Sequence, residues 1–148
     1  MKESRPQRSV GRVLCLDGDQ DNCDLLTFLL KQFGYQVITT TSNSEALHLA
    51  KRGDVDLILL DSRLREATGA ELCRKVRIFD PRTPILFCSA AAFPADFEAA
   101  FSAGADGYVV KPFEPVDLLE KIDQLIQAHR ASSLEAMTAP EQDRCLTS

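Results

Sequence analysis

The sequence predicts an α/β domain of (βα)5 form, a five-stranded parallel sheet covered on both faces by crossover helices in a three-layer sandwich. Three observations predict it. Five short runs rich in β-branched and aliphatic residues recur along the chain, segments of helical period separate them, and one run, Leu57-Ile58-Leu59-Leu60, is apolar throughout. Alternating strands and helices mark a parallel sheet, and an unbroken apolar run suits a strand covered on both faces. The length of 148 residues, with 45% apolar and 26% charged side chains, suits a single core that needs neither disulfides nor a structural metal.

The strands are expected at Arg12–Asp17, Gln36–Thr40, Asp56–Asp61, Pro84–Ser89 and Tyr108–Lys111. A first helix carries an apolar stripe of Leu25, Leu26, Phe28, Leu29, Leu30 and Phe33 and stops at Gly34. The second starts near Ser42 or Ser44, carries Ala46, Leu47, Leu49 and Ala50, and stops at Gly53. A third spans about Ala67 to Arg77, with Leu72, Cys73 and Val76 facing inward. Pro94 suits the first turn of a fourth helix that reaches Ala103 and ends at Gly104, with Phe93 as a staple ahead of it. Pro115 opens a fifth whose inner face is Val116, Leu118, Leu119, Ile122, Leu125 and Ile126. The domain then spans residues 11–130, between an N-terminal tail of residues 1–10 and a C-terminal tail of residues 131–148 that lacks a sustained period.

Seventeen Lys and Arg against 22 Asp and Glu leave a net charge of −5, without the clustered cations that phosphate neutralisation needs, so nucleic acid is not an expected partner. No stretch approaches a membrane span, and no leader of the secretory kind opens the chain. Five cysteines at 15, 23, 73, 88 and 145 show no C-x-x-C pair and read as reduced thiols of a cytoplasmic protein. His48 and His129 fall on helix surfaces and carry no expected role.

Chemistry in an open parallel sheet gathers at the carboxyl ends of the strands. Here those ends read Asp17-Gly18-Asp19, Asp61-Ser62, Ser89-Ala90 and Lys111-Pro112. Two carboxylates brought to one edge repel, so they require a proton, the Lys111 ammonium or a hard divalent cation such as magnesium. Such a set suits phosphoryl chemistry: a carboxylate can be the nucleophile, and Lys111 and Ser89 can neutralise and hydrogen-bond phosphoryl oxygens. Alone, each residue has an ordinary explanation. A strand-end Asp is commonly a turn former, Ser89 a cap, Lys111 a surface cation, and Tyr108 a half-buried core aromatic; co-location favours function.

These segments, Val13-Leu14-Cys15-Leu16-Asp17, Leu57-Ile58-Leu59-Leu60-Asp61 with Gly69 downstream, Pro84 to Ala90, and Gly104 to Phe113, together resemble the receiver domain of bacterial two-component response regulators. The resemblance covers residues 11–130 and implies a flavodoxin-like fold with strand order 2-1-3-4-5. By it Asp61 is the phospho-acceptor and Lys111 the phosphate partner. Ser89 is the switch hydroxyl, and Tyr108 the aromatic that moves inward with it. Asp17, Asp61 and the backbone carbonyl of Arg63 form the magnesium pocket. The implied role is a stand-alone, non-enzymatic phosphorelay component. Its phosphoryl donor is a histidine kinase or phosphotransfer protein, and its output passes to a downstream protein through the fourth helix, fifth strand and fifth helix, including the helices that bear Phe97, Phe101 and Leu118.

The sequence departs from that pattern in two places. Receivers carry two adjacent acids after the first strand, and here the second position is Gly18, which counts against magnesium affinity; Asp19 is a substitute ligand if the glycine lets the loop turn it inward. Arg65 stands where the family places a proline, and Arg63 lies two residues beyond Asp61, from where its guanidinium could supply charge that a weakened metal site lacks. Gly18, Arg63 and Arg65 support the alternative of a phosphorylation-independent pseudo-receiver that serves as a protein-interaction module. A small phosphatase or nucleotide-binding enzyme is a poorer account, because the chain has no P-loop, G-x-G-x-x-G or G-x-S-x-G motif.

Overall fold

Leu57–Leu60, apolar at every position, forms β3 at the centre of a five-stranded sheet and is buried at all four residues. The computed structural model describes residues 10–138; residues 1–9 of the N-terminal tail expected over 1–10, residues 139–148 of the C-terminal tail expected over 131–148, and with them Cys145, lie outside the described residues. The other strands are β1 (Gly11–Leu16), β2 (Tyr35–Thr40), β4 (Ile85–Ser89) and β5 (Gly107–Val110). Between and after them run α1 (Gln20–Gln32), α2 (Asn43–Lys51), α3 (Gly69–Phe79), α4 (Pro94–Ser102) and α5 (Pro115–Thr138). All strand pairs are parallel and their order is β2-β1-β3-β4-β5, the flavodoxin-like arrangement that the resemblance implies.

Alternation along the strands sorts the core into two layers. Leu14, Leu16, Ile58, Leu60, Ile85 and Phe87 face α2, α3 and α4 through Ala46, Ala50, Leu72, Cys73, Val76 and Ala100. Val13, Cys15, Leu57, Leu59, Leu86 and Cys88 face α1 and α5 through Leu26, Leu30, Leu118, Ile122 and Ile126. Each fully buried aliphatic side chain contributes about 1.5–3 kcal/mol, so the sheet is held in register from both sides.

Local chemistry sets the helix ends. Asp19, Ser42 and Thr68 accept backbone N–H bonds as N-caps of α1, α2 and α3, and Thr68 with Glu71 completes a capping box. Asp96 Oδ2 accepts from the Phe93 N–H at the start of α4. Gly34, Gly53 and Gly104 have positive φ where α1, α2 and α4 stop, as their places in the sequence predict.

The structure corrects four expectations. Leu25, Phe28 and Phe33 are exposed, because only Cys23, Leu26 and Leu30 lie on the buried arc of α1. Val116 is also exposed. Phe93 is itself the N-cap and is 75% exposed, so it staples nothing. Finally α5 runs through residue 138 and not to about 130: the segment after Arg130 has no apolar stripe, but it has no glycine or proline before Pro140 either, and helix propensity carries the backbone on. His48 is exposed as expected, whereas His129 is half-buried.

The four described cysteines are buried and unpaired with one another. Burial pushes the thiols up, Cys73 to about 11 and Cys88 to about 12, and raises Cys15 and Cys23 in the same direction. Thiolate is the reactive form. Iodoacetamide at about pH 8 is therefore expected to leave Cys15, Cys73 and Cys88 unmodified in the folded protein and to alkylate them in urea. Peptide mass spectrometry checks this, and rapid native labelling of Cys88 would contradict the packing.

Candidate functional site

Register places the site. Leu16 pairs with Leu60 across β1 and β3, and Ser89 with Val110 across β4 and β5, so Asp17, Asp61 and Lys111, each the next residue along, emerge at one edge of the sheet. Backbone bonds fix the exits: the Asp61 N–H donates to Leu16 O at 3.1 Å and the Lys111 N–H to Ser89 O at 2.9 Å.

The Lys111 ammonium bridges the two acids, 3.0 Å from Asp17 Oδ2 and 3.1 Å from Asp61 Oδ2. Each carboxylate is held on its other oxygen by a backbone donor. Asp19 N–H reaches Asp17 Oδ1 at 2.9 Å, and Arg63 N–H reaches Asp61 Oδ1 at 3.0 Å. Side-chain exposure is 6% for Asp17, 13% for Asp61 and 20% for Lys111, so Asp61 is shielded but open to a small reactant. Burial alone lowers the Lys111 pKa; the hydrogen bonds and charges of Asp17 and Asp61 outweigh it and hold the ammonium above the ordinary lysine value of 10.5.

Close approach shapes the acceptor loop. A Cβ at Gly69 would overlap the Asp61 carbonyl oxygen and lie 2.8 Å from the Phe87 ring, so only glycine lets α3 begin directly beneath Asp61. Ser89 is buried, and its Oγ accepts from the Ala91 N–H at 3.1 Å. Tyr108 points inward. Its hydroxyl donates to Ala91 O at 2.7 Å and lies 2.9 Å from Ser62 Oγ, while its ring stacks on Phe87 and meets Phe97 edge-on. Tyr108 is thus both half-buried packing and a polar link from the acceptor loop to β5.

The expected residues divide plainly. Asp17, Asp61 and Lys111 converge; Ser89 and Tyr108 meet instead on the backbone of Ala91. Asp19 does not turn inward. Its carboxylate caps α1 by accepting from the Asp21 N–H at 2.9 Å, a local bond that commits it to the helix end. Arg63 gives Asp61 its backbone N–H, and its exposed guanidinium makes no ion pair among the described residues.

Three contacts lay beyond the sequence reading: Asn22 Nδ2 at 3.4 Å from both Asp17 oxygens, Ser62 on Tyr108, and Arg65 Nε donating to Gly18 O at 2.7 Å. Asn22 lies in the first turn of the helix that follows Asp17, a position from which a polar side chain can reach back. The other two have no spacing signal.

A hard cation here would draw on the Asp17 and Asp61 carboxylates and the Arg63 carbonyl, which faces the loop after β1: a Cβ at Gly18 would stand 3.7 Å from it. Among the described residues no group of three or more acidic, His or Cys side chains could hold a metal. The all-oxygen set still fits magnesium, which commonly takes one or two carboxylates and completes its shell with water and phosphate.

The family model of the response regulator receiver domain matches residues 13–123. The chain belongs to the response regulator receiver family. Receivers are regulatory domains of two-component signalling that interact with histidine kinases or phosphotransfer proteins and typically bind magnesium. Over 127 residues this receiver is 32% identical to the cell cycle response regulator CtrA of Brucella ovis, covering 86% of this chain and 55% of the relative. It thus spans about half the length of the curated relatives it matches. A CheY-like receiver domain protein from Methanospirillum hungatei JF-1 superposes with a TM-score of 0.78 at 28% identity, over 85% of this chain and 99% of that one. The receiver domain of sensor histidine kinase PA1611 from Pseudomonas aeruginosa PAO1, described with a magnesium ion coordinated in its active site cleft, gives 0.74 at 28% identity, over 79% and 98%. Among the described residues of this receiver, no helix is long and apolar enough to cross a membrane.

Replacing Lys111 by Met leaves two shielded carboxylates without their counter-charge. A lysine whose pKa is raised on folding stabilises fully below its unfolded value and loses that contribution as pH rises through its folded one. Lys111→Met is therefore expected to lower unfolding free energy by about 2 kcal/mol at neutral pH, with the gap narrowing as the pH passes 10.5. Urea unfolding across pH checks both; equal stabilities at pH 7 would contradict the bridge.

Proposed function

We propose that this receiver accepts a phosphoryl group on Asp61 and switches a protein-binding face. The supporting observation is the Lys111 ammonium, seated between Asp17 and Asp61 at the open edge of the sheet. An Asp61 carboxylate oxygen attacks phosphorus: the O–P bond forms as the donor's N–P or O–P bond breaks, and the electron pair leaves with the donor's imidazole or carboxylate. Lys111 steadies the developing charge, and Asp17, Asp61 and the Arg63 carbonyl would hold magnesium, which neutralises phosphoryl oxygens when bound. Asp61 itself is held in line by the Arg63 N–H.

The donor, a histidine kinase or phosphotransfer protein, has an apolar landing surface beside Lys111. A groove of about 390 Å³ is lined by Leu25, Phe28, Leu29, Pro112, Phe113 and Pro115 together with Lys111, and an amphipathic donor helix suits it. On the output side, phosphorylation adds roughly −1.5 to −2 charges. The Ser89 hydroxyl and the Tyr108 link to Ala91 then shift between two arrangements. Exposed Phe101, Val110 and Val116 on α4, β5 and α5 present the result to a downstream protein; Leu118 is core and takes no part in that surface.

Incubation with acetyl phosphate and magnesium is expected to add one phosphoryl group to wild type and none to Asp61→Asn, read by intact-mass spectrometry. An unlabelled wild type, still unlabelled after incubation with a phosphorylated donor domain, would overturn this reading in favour of the phosphorylation-independent module.

A further inference from the structure

Residue 18 is a glycine next to Asp17, and Arg65 packs against it. A Cβ at Gly18 would lie 3.5 Å from both the Cγ and the backbone N of Arg65, an ordinary packing distance, so the aliphatic stem of Arg65 runs alongside position 18. The head is fixed as well. Arg65 Nε donates to Gly18 O at 2.7 Å, joining loops 47 positions apart. A guanidinium carries five N–H donors in a planar fork, and this one spends one on Gly18 and forms no ion pair among the described residues. Arg65 is exposed, and the Gly18 carbonyl that holds its head belongs to the residue directly after Asp17.

Charge gives the arrangement its direction. With Asp17 and Asp61 negative and Lys111 and Arg65 positive, the cleft is balanced before any cation enters. An acid at 18 and an uncharged residue at 65 would leave it two negative charges in excess, a site that calls for a divalent ion. The glycine and the arginine together remove that demand, and an arriving phosphoryl dianion then meets two fixed cations.

We propose that Arg65, set on Gly18, is a phosphoryl-binding residue of this cleft, which lowers the site's affinity for free magnesium and raises its affinity for the phosphoryl group. The proposal rests on Asp61 being the acceptor. It assigns to Arg65, across the loop interface, the compensating charge that the sequence alone suggested for Arg63.

Two affinities that move in opposite directions test it. Beryllofluoride, a phosphoryl mimic, is titrated at saturating magnesium and followed by fluorine NMR; magnesium alone is titrated and followed by amide shifts. Arg65→Ala is expected to weaken beryllofluoride about two- to fivefold and to tighten magnesium by a similar factor, the range of a charge contact at a solvent-facing position. Arg65→Lys keeps most of the magnesium effect, because the charge remains. Gly18→Asp combined with Arg65→Ala tightens magnesium further. If wild type binds beryllofluoride and Arg65→Ala matches it in both titrations, the proposal falls while the acceptor reading stands. Parallel loss of both affinities marks a merely structural arginine and also overturns it. A wild type that binds no beryllofluoride overturns both.

Discussion

Two carboxylates leaving adjacent parallel strands cannot both remain ionised in a shielded cleft unless a positive group lies between them. In this receiver that group is the Lys111 ammonium, within 3.1 Å of both Asp17 and Asp61. Everything else about the site is arranged so that this three-way contact forms. The β1–β3 register sets the acids side by side, the β4–β5 pairing delivers the lysine, and backbone N–H groups of Asp19 and Arg63 turn the carboxylates toward it. The core beneath supplies rigidity, since apolar layers on both faces of β3 leave no freedom for a slip that would part Asp61 from Lys111.

The same short strand serves two tasks. β5 ends at Lys111 and also carries Tyr108, whose hydroxyl connects Ser62, directly after Asp61, to the Ala91 carbonyl after β4. Ser89 accepts from the Ala91 N–H, so a single residue, Ala91, is bound by both of the groups that the resemblance names as switch elements. A short hydrogen-bonded route therefore runs from Ser62, beside Asp61, through Tyr108 to Ala91 ahead of α4.

Much of this was legible in the sequence, because strand ends in a parallel sheet are determined by where apolar runs stop. Asp17, Asp61, Ser89 and Lys111 each terminate such a run, and topology does the rest. Periodicity was less informative about which apolar residues are buried. The first helix carries more apolar positions than its buried arc can hold, and Leu25, Phe28 and Phe33 are left outside. Asp19 was ambiguous for a different reason: a carboxylate near a helix start can serve as ligand or cap, and the local bond to the Asp21 N–H wins. The end of α5 was hidden because an exposed helical segment needs no apolar stripe. The Arg65 contact with Gly18 joins two loops, and no spacing rule relates them.

The most direct measurement is the titration of the Lys111 side chain by NMR in wild type, Asp17→Asn and Asp61→Asn. A midpoint above the ordinary 10.5 in wild type, falling in each variant, is the predicted result. A lysine that titrates at or below that value and ignores both substitutions would show that no such electrostatic bridge organises the cleft.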